Sequence, residues 1–387
     1  MGPSLSNSRL RHLMIIAGEA SGDKHGASLI YHLKAKDPTL RFTGLGGPLM
    51  RSAGQEQLYD IKGLAVLGLT EVLKKIFFFR RVFFETLNFL KRERPDALVL
   101  IDYPGFNVRL AEKAHREKIK VIYYISPQVW AWGKERVGRL RQTIEKMLVV
   151  FPFEEEIYRR EGVPVKFVGH PLLDELELSS SSEELRIGFG IKPGELAIAL
   201  LPGSRLQEIK LILPVVLETA LLLKEKFKVK FLLPVAPAIN REIIEKALGR
   251  YTLPLKIVEG ESIKVIAASD LVITASGTAT LETAILERPM VIIYKVPFLS
   301  YLVLKRLLKV PCIGMVNILL QEKVFPEFIQ YEAKADNIFK ACARILEDRL
   351  YREKMLDSLS KIRGLLGGRG ASSRAAQEIW DLAYGHN

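Results

Sequence analysis

Asp270-Leu271-Val272-Ile273-Thr274-Ala275-Ser276-Gly277-Thr278-Ala279-Thr280-Leu281-Glu282-Thr283 decides how this chain is read. An apolar strand-like run, 270–274, enters Ser-Gly-Thr and then a helical pattern that stops before Pro289. A strand that turns into a helix in this way gathers unpaired backbone N–H groups at one point. The hydroxyls of Ser276 and Thr278 join them, and the helix dipole adds positive potential. The result is a seat for phosphate, with Gly277 between the two hydroxyls. Glu282, one turn further on, falls within reach of a sugar hydroxyl on a nucleotide seated there. The competing reading is that Ser276 and Thr278 only cap a helix.

Outward from this point the pattern repeats. Short β-branched runs near 196–201, 228–234, 255–258 and 290–294 alternate with helical stretches in the second half. Runs near 13–17, 41–44, 97–101, 120–125, 147–151 and 166–168 do so in the first. Such alternation predicts parallel sheets covered on both faces. Leu178-Ser179-Ser180-Ser181-Ser182-Glu183-Glu184 reads as an exposed linker and puts a domain boundary near 180. From about 335 the chain reads as successive charged helices. The expected fold class is α/β, with two doubly wound, Rossmann-like domains facing across a cleft. Ligands in such sheets lie beyond the carboxyl ends of the strands, so strand-to-helix loops are where chemistry is sought.

With 387 residues, two domains are the natural expectation, and 48% hydrophobic against 26% charged residues is a globular balance. The net charge of +13 points to anionic partners such as nucleotide phosphates, nucleic acid or an anionic membrane surface. Two cysteines, Cys312 and Cys342, make no disulfide framework and suit a reducing compartment. The polar start of the chain has no apolar signal core. Its formal myristoylation pattern, Gly2 to Ser6, is too short to weigh. No uncharged run approaches the roughly 18 residues needed to span a bilayer. A cytoplasmic protein, or one attached to a membrane face, is expected.

Absent motifs narrow the field. There is no P-loop and no G-x-G-x-x-G after a strand; Gly44-Leu45-Gly46-Gly47 falls short of it. The six histidines show no zinc spacing, and no Asp-x-Asp pair offers itself to a divalent ion, so neither metal nor cofactor is expected. A departing phosphate must then be met by backbone dipoles and cations.

Five further stretches follow strands. Gly18-Glu19-Ala20-Ser21-Gly22-Asp23 offers small residues, two carboxylates and a helix start; Glu19, Ser21 and Asp23 are cleft candidates, with Asp23 as a plain helix cap the alternative. Ile101-Asp102-Tyr103-Pro104-Gly105-Phe106-Asn107 ends an apolar strand in a carboxylate. Burial there raises its pKa toward that of a general base, unless it caps a helix starting near Asn107 or pairs with an arginine. Ser126-Pro127-Gln128-Val129-Trp130-Ala131-Trp132 offers Gln128 and two indoles for a sugar ring or acyl chain, or simply for core packing. Leu201-Pro202-Gly203-Ser204-Arg205 permits a tight loop at Gly203 and Ser204, with Arg205 able to fork onto phosphate oxygens beside the Ser276 loop. In Gly314-Met315-Val316-Asn317, the Asn317 amide can bond a phosphate or sugar, or be satisfied by backbone.

The stretch 62–94 carries eight Lys/Arg against three Glu together with a surplus of apolar residues. Phe79, Phe83, Leu87 and Leu90 form one helical stripe for the core. Val66, Leu69, Leu73, Ile76 and Phe77 exceed it. Apolar surplus plus positive charge suits an anionic membrane face or an acyl groove, the alternative being a buried helix with solvated lysines.

Taken in order, Ala17–Asp23, Ile101–Asn107, Ser126–Trp132, Val168-Gly169-His170-Pro171, Leu201–Arg205 and Ser276–Glu282 resemble the lipid-A-disaccharide synthase family over nearly the whole chain. The resemblance implies a glycosyltransferase-B fold with C-terminal helices crossing back to the first domain. Residues 1–178 would form the acceptor side with a membrane-facing region, 185–350 the UDP-sugar domain, and 351–387 the returning helices. It implies an inverting, metal-independent transferase, peripheral on the inner face of the bacterial inner membrane. This enzyme would join UDP-2,3-diacylglucosamine to 2,3-diacylglucosamine 1-phosphate. Asp102 matches the family's general base. Arg205, Ser276, Gly277, Thr278, Glu282 and Asn317 match its UDP side. Some members form domain-swapped dimers, so a homodimer is among the expected partners. Two rivals stand beside it: a UDP-sugar 2-epimerase on the same fold, and a basic protein binding nucleic acid, for which no recognisable module is present.

Overall fold

A strand buried on both faces must be apolar along its whole length. β1 (His12–Ala17), β4 (Ala97–Ile101) and β11 (Leu271–Ala275) have every residue buried and are apolar but for His12 and Thr274. The computed structural model describes residues 10–61, 69–127, 135–176, 178, 180–237, 239–298, 301–302 and 312–385, with backbone alone for 69–76 and 135–136. The described residues form two compact units, 1–174 with 366–387, and 175–365.

The first unit holds a seven-stranded sheet. To β1 and β4 it adds β2 (Arg41–Gly46), β3 (Gln55–Asp60), β5 (Lys120–Tyr124), β6 (Lys146–Val149) and β7 (Val165–Phe167), in the order β3-β2-β1-β4-β5-β6-β7. The second holds β8 (Leu196–Leu201), β9 (Val229–Val235), β10 (Leu255–Glu259), β12 (Met290–Tyr294) and β13 (Glu327–Ile329) with β11, in the order β10-β9-β8-β11-β12-β13. Every pairing is parallel. Each sheet therefore reverses its winding once, between β1 and β4 and between β8 and β11. Register sets Ala17 beside Ile101 in one and Leu201 beside Thr274 in the other. The chain leaves these strands at Gly18, Asp102, Pro202 and Ser276, so four of the loops singled out from sequence sit at the two switch points, where ligands bind in this architecture.

Two strands escape the sequence reading, β3 and β13, and both lie at sheet edges. Gln-Glu-Gln-Leu-Tyr-Asp and Glu-Phe-Ile carry little apolar signal because an edge strand is half wet, and the second is also short. The serine linker also needs correction. Its second half is a helix start: Ser181 Oγ accepts from Glu184 N (3.2 Å), and Glu184 accepts from Ser181 N (2.8 Å), opening the helix Ser182–Phe189. Ser-x-x-Glu is a capping box, and that signal was in the sequence. The returning C-terminal segment is shorter than 351–387. The helix Arg349–Leu365 stays with the second unit, burying Met355, Leu359 and Ile362, and only the helix Ala371–Tyr384 joins the first, packing on the helix Ala20–Lys34. The change of unit follows Leu365, where Gly367, Gly368 and Gly370 turn at positive φ.

On the helix Leu69–Glu93, Leu87 and Leu90 are buried and Phe79 and Phe83 pack on the core, as the stripe requires. Among the described residues no helix is long and apolar enough to cross a membrane. Cys312 and Cys342 are buried free thiols.

Candidate active site

At the first switch point Asp102 and Tyr103 follow β4 with φ of +45° and +51°. Two successive non-glycine residues in the left-handed region are strained, at roughly 1–3 kcal/mol each. Packing holds them there. The Asp102 carbonyl accepts from Tyr123 OH (2.6 Å) and Asn107 Nδ2 (2.7 Å), and the Asp102 N–H donates to the Tyr124 carbonyl (3.2 Å). The Tyr103 ring stacks on Phe106 and fills the space that a side chain at Gly18 would need. The following helix begins at Pro104, three residues before the expected start, because proline suits the first helical turn.

The half-buried Asp102 carboxyl is pushed up to about 6, first by burial and then by the charge of Glu19, with the Tyr103 N–H and His25 pulling the other way. Glu19 is exposed at the start of the helix Ala20–Lys34, and Ser21 is exposed in its first turn. Asp23 is not a free site group. It is buried, and its carboxylate accepts from Gly47 N (2.7 Å), Met50 N (3.0 Å) and Leu49 N (3.1 Å), capping the helix Pro48–Ser52. His25, buried one turn beyond Ser21, was missed, and nothing in its local sequence sets it apart. Gln128 lies outside the described residues. The turn leading to it is anchored by Ser126 Oγ donating to buried Glu154 (2.7 Å) and by Tyr158 OH donating to the Pro127 carbonyl (3.0 Å).

At the second switch point a pocket of ≈ 370 Å³ opens within the second unit. Gly203, Ser204, Arg205, Ser276, Gly277, Thr278 and Glu282 all line it. The helix Thr278–Ile285 begins there with no side-chain cap and no acidic residue in its first turn, so its N-terminal dipole faces the pocket unneutralised by its own side chains. Thr280 Oγ1 and Thr283 Oγ1 bond back to Gly277 O and Ala279 O, while Ser276 Oγ reaches the Ile313 carbonyl at 3.5 Å. The rest of the wall comes from Pro234 to Pro237, at and just beyond the end of β9, and from Gly260 and Ser262 after β10. These were not singled out, although each follows an apolar strand with turn residues.

Asn317 does not belong with the pocket groups. It is fully buried, its amide donating to Phe325 O (2.8 Å) and Glu327 Oε1 (2.7 Å) while its carbonyl accepts from Val324 N (3.0 Å) and Phe325 N (2.9 Å). An amide offers about four hydrogen bonds, and all are committed. In this structure Asn317 pins the 313–327 segment. Of the apolar candidates, Phe77 is 79% exposed. Leu69, Leu73 and Ile76 lie on the same helix without described side chains, and Val66 falls outside the described residues. Among the described residues no group of three or more His, Cys, Asp or Glu could hold a metal ion.

Two doubly wound parallel sheets of this order, one with a phosphate-type pocket at its switch point, define a protein of the glycosyltransferase-B fold class. Solved structures agree on the fold. The UDP-GlcNAc 2-epimerase of Neisseria meningitidis superposes with a TM-score of 0.66 at 13% identity, covering 96% of this chain and 100% of that one. The glycosyltransferase of kitacinnamycin does so with a TM-score of 0.64 at 16% identity, covering 97% and 100%. Such low identities bear on the fold alone. The family model for lipid-A-disaccharide synthetase matches residues 13–379. The lipid-A-disaccharide synthase of Geobacter sulfurreducens is 44% identical over 371 residues, covering 96% of this chain and 97% of its own. That of Nitrosococcus oceani is 42% identical over 374 residues, covering 96% of each. The chain belongs to the lipid-A-disaccharide synthase family and is a glycosyltransferase.

Proposed function

We propose that this chain transfers the glucosaminyl group of UDP-2,3-diacylglucosamine to the 6-hydroxyl of 2,3-diacylglucosamine 1-phosphate, with inversion. The products are a β-1,6-linked disaccharide 1-phosphate and UDP. Asp102 takes the hydroxyl proton as the oxygen bonds to the anomeric carbon. The bond from that carbon to the diphosphate breaks, and its electron pair leaves with UDP. The leaving charge is met by the N-terminus of the helix Thr278–Ile285, the Ser276 and Thr278 hydroxyls and the Arg205 guanidinium, which act as fixed dipoles and charge in place of a metal. Glu282 holds a ribose hydroxyl, and the 234–237 and 260–262 loops enclose the nucleoside end. The observation that carries the mechanism is Asp102, a carboxyl held by strained backbone at a switch point and pushed up to about 6. Mixing donor and acceptor in EDTA tests it. Disaccharide and UDP at the full rate are expected; epimerised donor without disaccharide, or activity only after added magnesium, would overturn it.

The acyl chains of both substrates suit a membrane surface, the net charge of +13 an anionic one, and the UDP donor its cytoplasmic side. Phe77 and Phe84, 79% and 51% exposed on a helix that also carries Arg80 and Arg81, are the proposed contact. The Phe77→Ser/Phe84→Ser variant should bind anionic vesicles at least about tenfold more weakly in a flotation assay, since burying one phenyl ring contributes about 1.5–3 kcal/mol. Turnover on detergent-dispersed substrate should be unchanged. Unaltered flotation would remove this helix from the contact. Self-association as a homodimer belongs to the same proposal and rests on the family resemblance.

A further inference from the structure

The turn after β8 is shaped around a side chain that sequence analysis passed over. Gly203 has a φ of +117°, and a Cβ there would lie 2.3 Å from Glu208 Oε2 and 2.6 Å from Glu208 Cβ. Glu208 fills that room. Its Oε2 accepts from Ser204 N (2.9 Å) and Arg205 N (3.2 Å), and its Oε1 stands 3.7 Å from Arg205 Nη1. Glu208 sits in the first turn of the helix Leu206–Lys226, and its side chain lines the pocket together with Arg205.

The Ser204 and Arg205 amide hydrogens therefore already have an acceptor, and the charged group this loop still offers to a ligand is the Arg205 guanidinium. The Arg205 side chain is 60% exposed. A long side chain in water keeps much of its rotamer entropy, which binding must remove. An exposed ion pair adds little stability, but one carboxylate holding both the backbone of residues 204–205 and the head group of residue 205 restricts where that head group can go.

We infer that Glu208 is a positioning residue: it locks the Gly203–Arg205 turn and aims the Arg205 guanidinium at the leaving diphosphate. The inference rests on the proposal that Arg205 meets that diphosphate. A mutant cycle on the full chain tests it, reading kcat/KM, UDP affinity by calorimetry and Tm for Arg205→Ala, Glu208→Ala and the double variant. Arg205→Ala should lower kcat/KM about a hundredfold and Glu208→Ala about tenfold, with the double variant within about twofold of Arg205→Ala alone, because Glu208 has nothing left to aim. Losses that multiply, or a Glu208→Ala enzyme of normal kcat/KM, would show that Glu208 only caps a helix and would overturn the inference while leaving Arg205 in place. Unchanged UDP affinity in Arg205→Ala would remove Arg205 from the phosphate site and take the inference with it. Should Glu208→Ala fail to fold, Glu208→Gln, which keeps an acceptor for the two amides and loses the charge, decides by the same cycle.

Discussion

Asp102→Asn lowers kcat by at least about a hundredfold, with UDP affinity retained, because general-base removal of a proton contributes about a hundred- to ten-thousandfold. The same change makes the protein more stable. Asp102 has a folded-state pKa of about 6, above its ordinary 3.8, so the fold favours the neutral carboxyl. Its contribution to stability is complete below pH 3.8 and is lost as pH rises through 6. At neutral pH the ionised group opposes folding by at most about 3 kcal/mol, from about 1.4 kcal/mol per pKa unit, and by about 1–2 kcal/mol once its partial access to water is allowed for. Asparagine keeps the shape and removes the charge, so Tm should rise by a few degrees. The wild-type rate should climb about tenfold per pH unit below 6 and level off above it, since a base acts only when deprotonated. Near-normal turnover of Asp102→Asn, or a flat wild-type profile between pH 5 and 7, would remove Asp102 from the chemistry.

Gly18→Ala should nearly abolish activity without touching a ligand. A Cβ at residue 18 would lie 2.3 Å from Tyr103 Cγ and Cδ1. The ring cannot simply step aside, because it stacks on Phe106 and follows a strained Asp102 whose carbonyl is tied to Tyr123 and Asn107. Relief must come from the backbone of residues 102–103, and misplacing a catalytic group by about 1 Å costs about a hundredfold in rate. Stability should fall by about 1–3 kcal/mol, as for overpacking generally. Tyr103→Ala in the Gly18→Ala background makes room for the methyl and relieves the clash, while giving up the Tyr103–Phe106 stacking. Activity returns only as far as Asp102 resumes its place. A Gly18→Ala enzyme with ordinary kcat would mean that the Tyr103 ring has another place to go and that Asp102 does not depend on it.

How much of this was legible in the chain follows from what each residue needs. The core strands announced themselves because a parallel strand covered on both faces must be apolar throughout, while β3 and β13, half wet at sheet edges, did not. The Gly203–Arg205 and Ser276–Thr278 loops, which line one pocket, stood out because glycine and hydroxyl residues follow an apolar strand directly in each. Asp23 and Asn317 show the converse. A carboxylate or an amide in a loop bonds a ligand and a backbone N–H equally well, and only the positions of residues 47–50 and 324–327 show that both side chains are committed within the fold. Glu208 escaped notice because a glutamate three residues into a helix is commonplace until Gly203 opens a space for it.

The order of apolar runs and turn residues by itself determined two parallel sheets, their switch-point loops and the family, since burial on both faces and tight turns each admit few residue types. Only the tertiary structure decided which polar side chains face a ligand and which hold the backbone. It also decided that the carboxyl of Asp102 is pushed up to about 6, because its burial and the charge of Glu19 come from segments far apart in the chain.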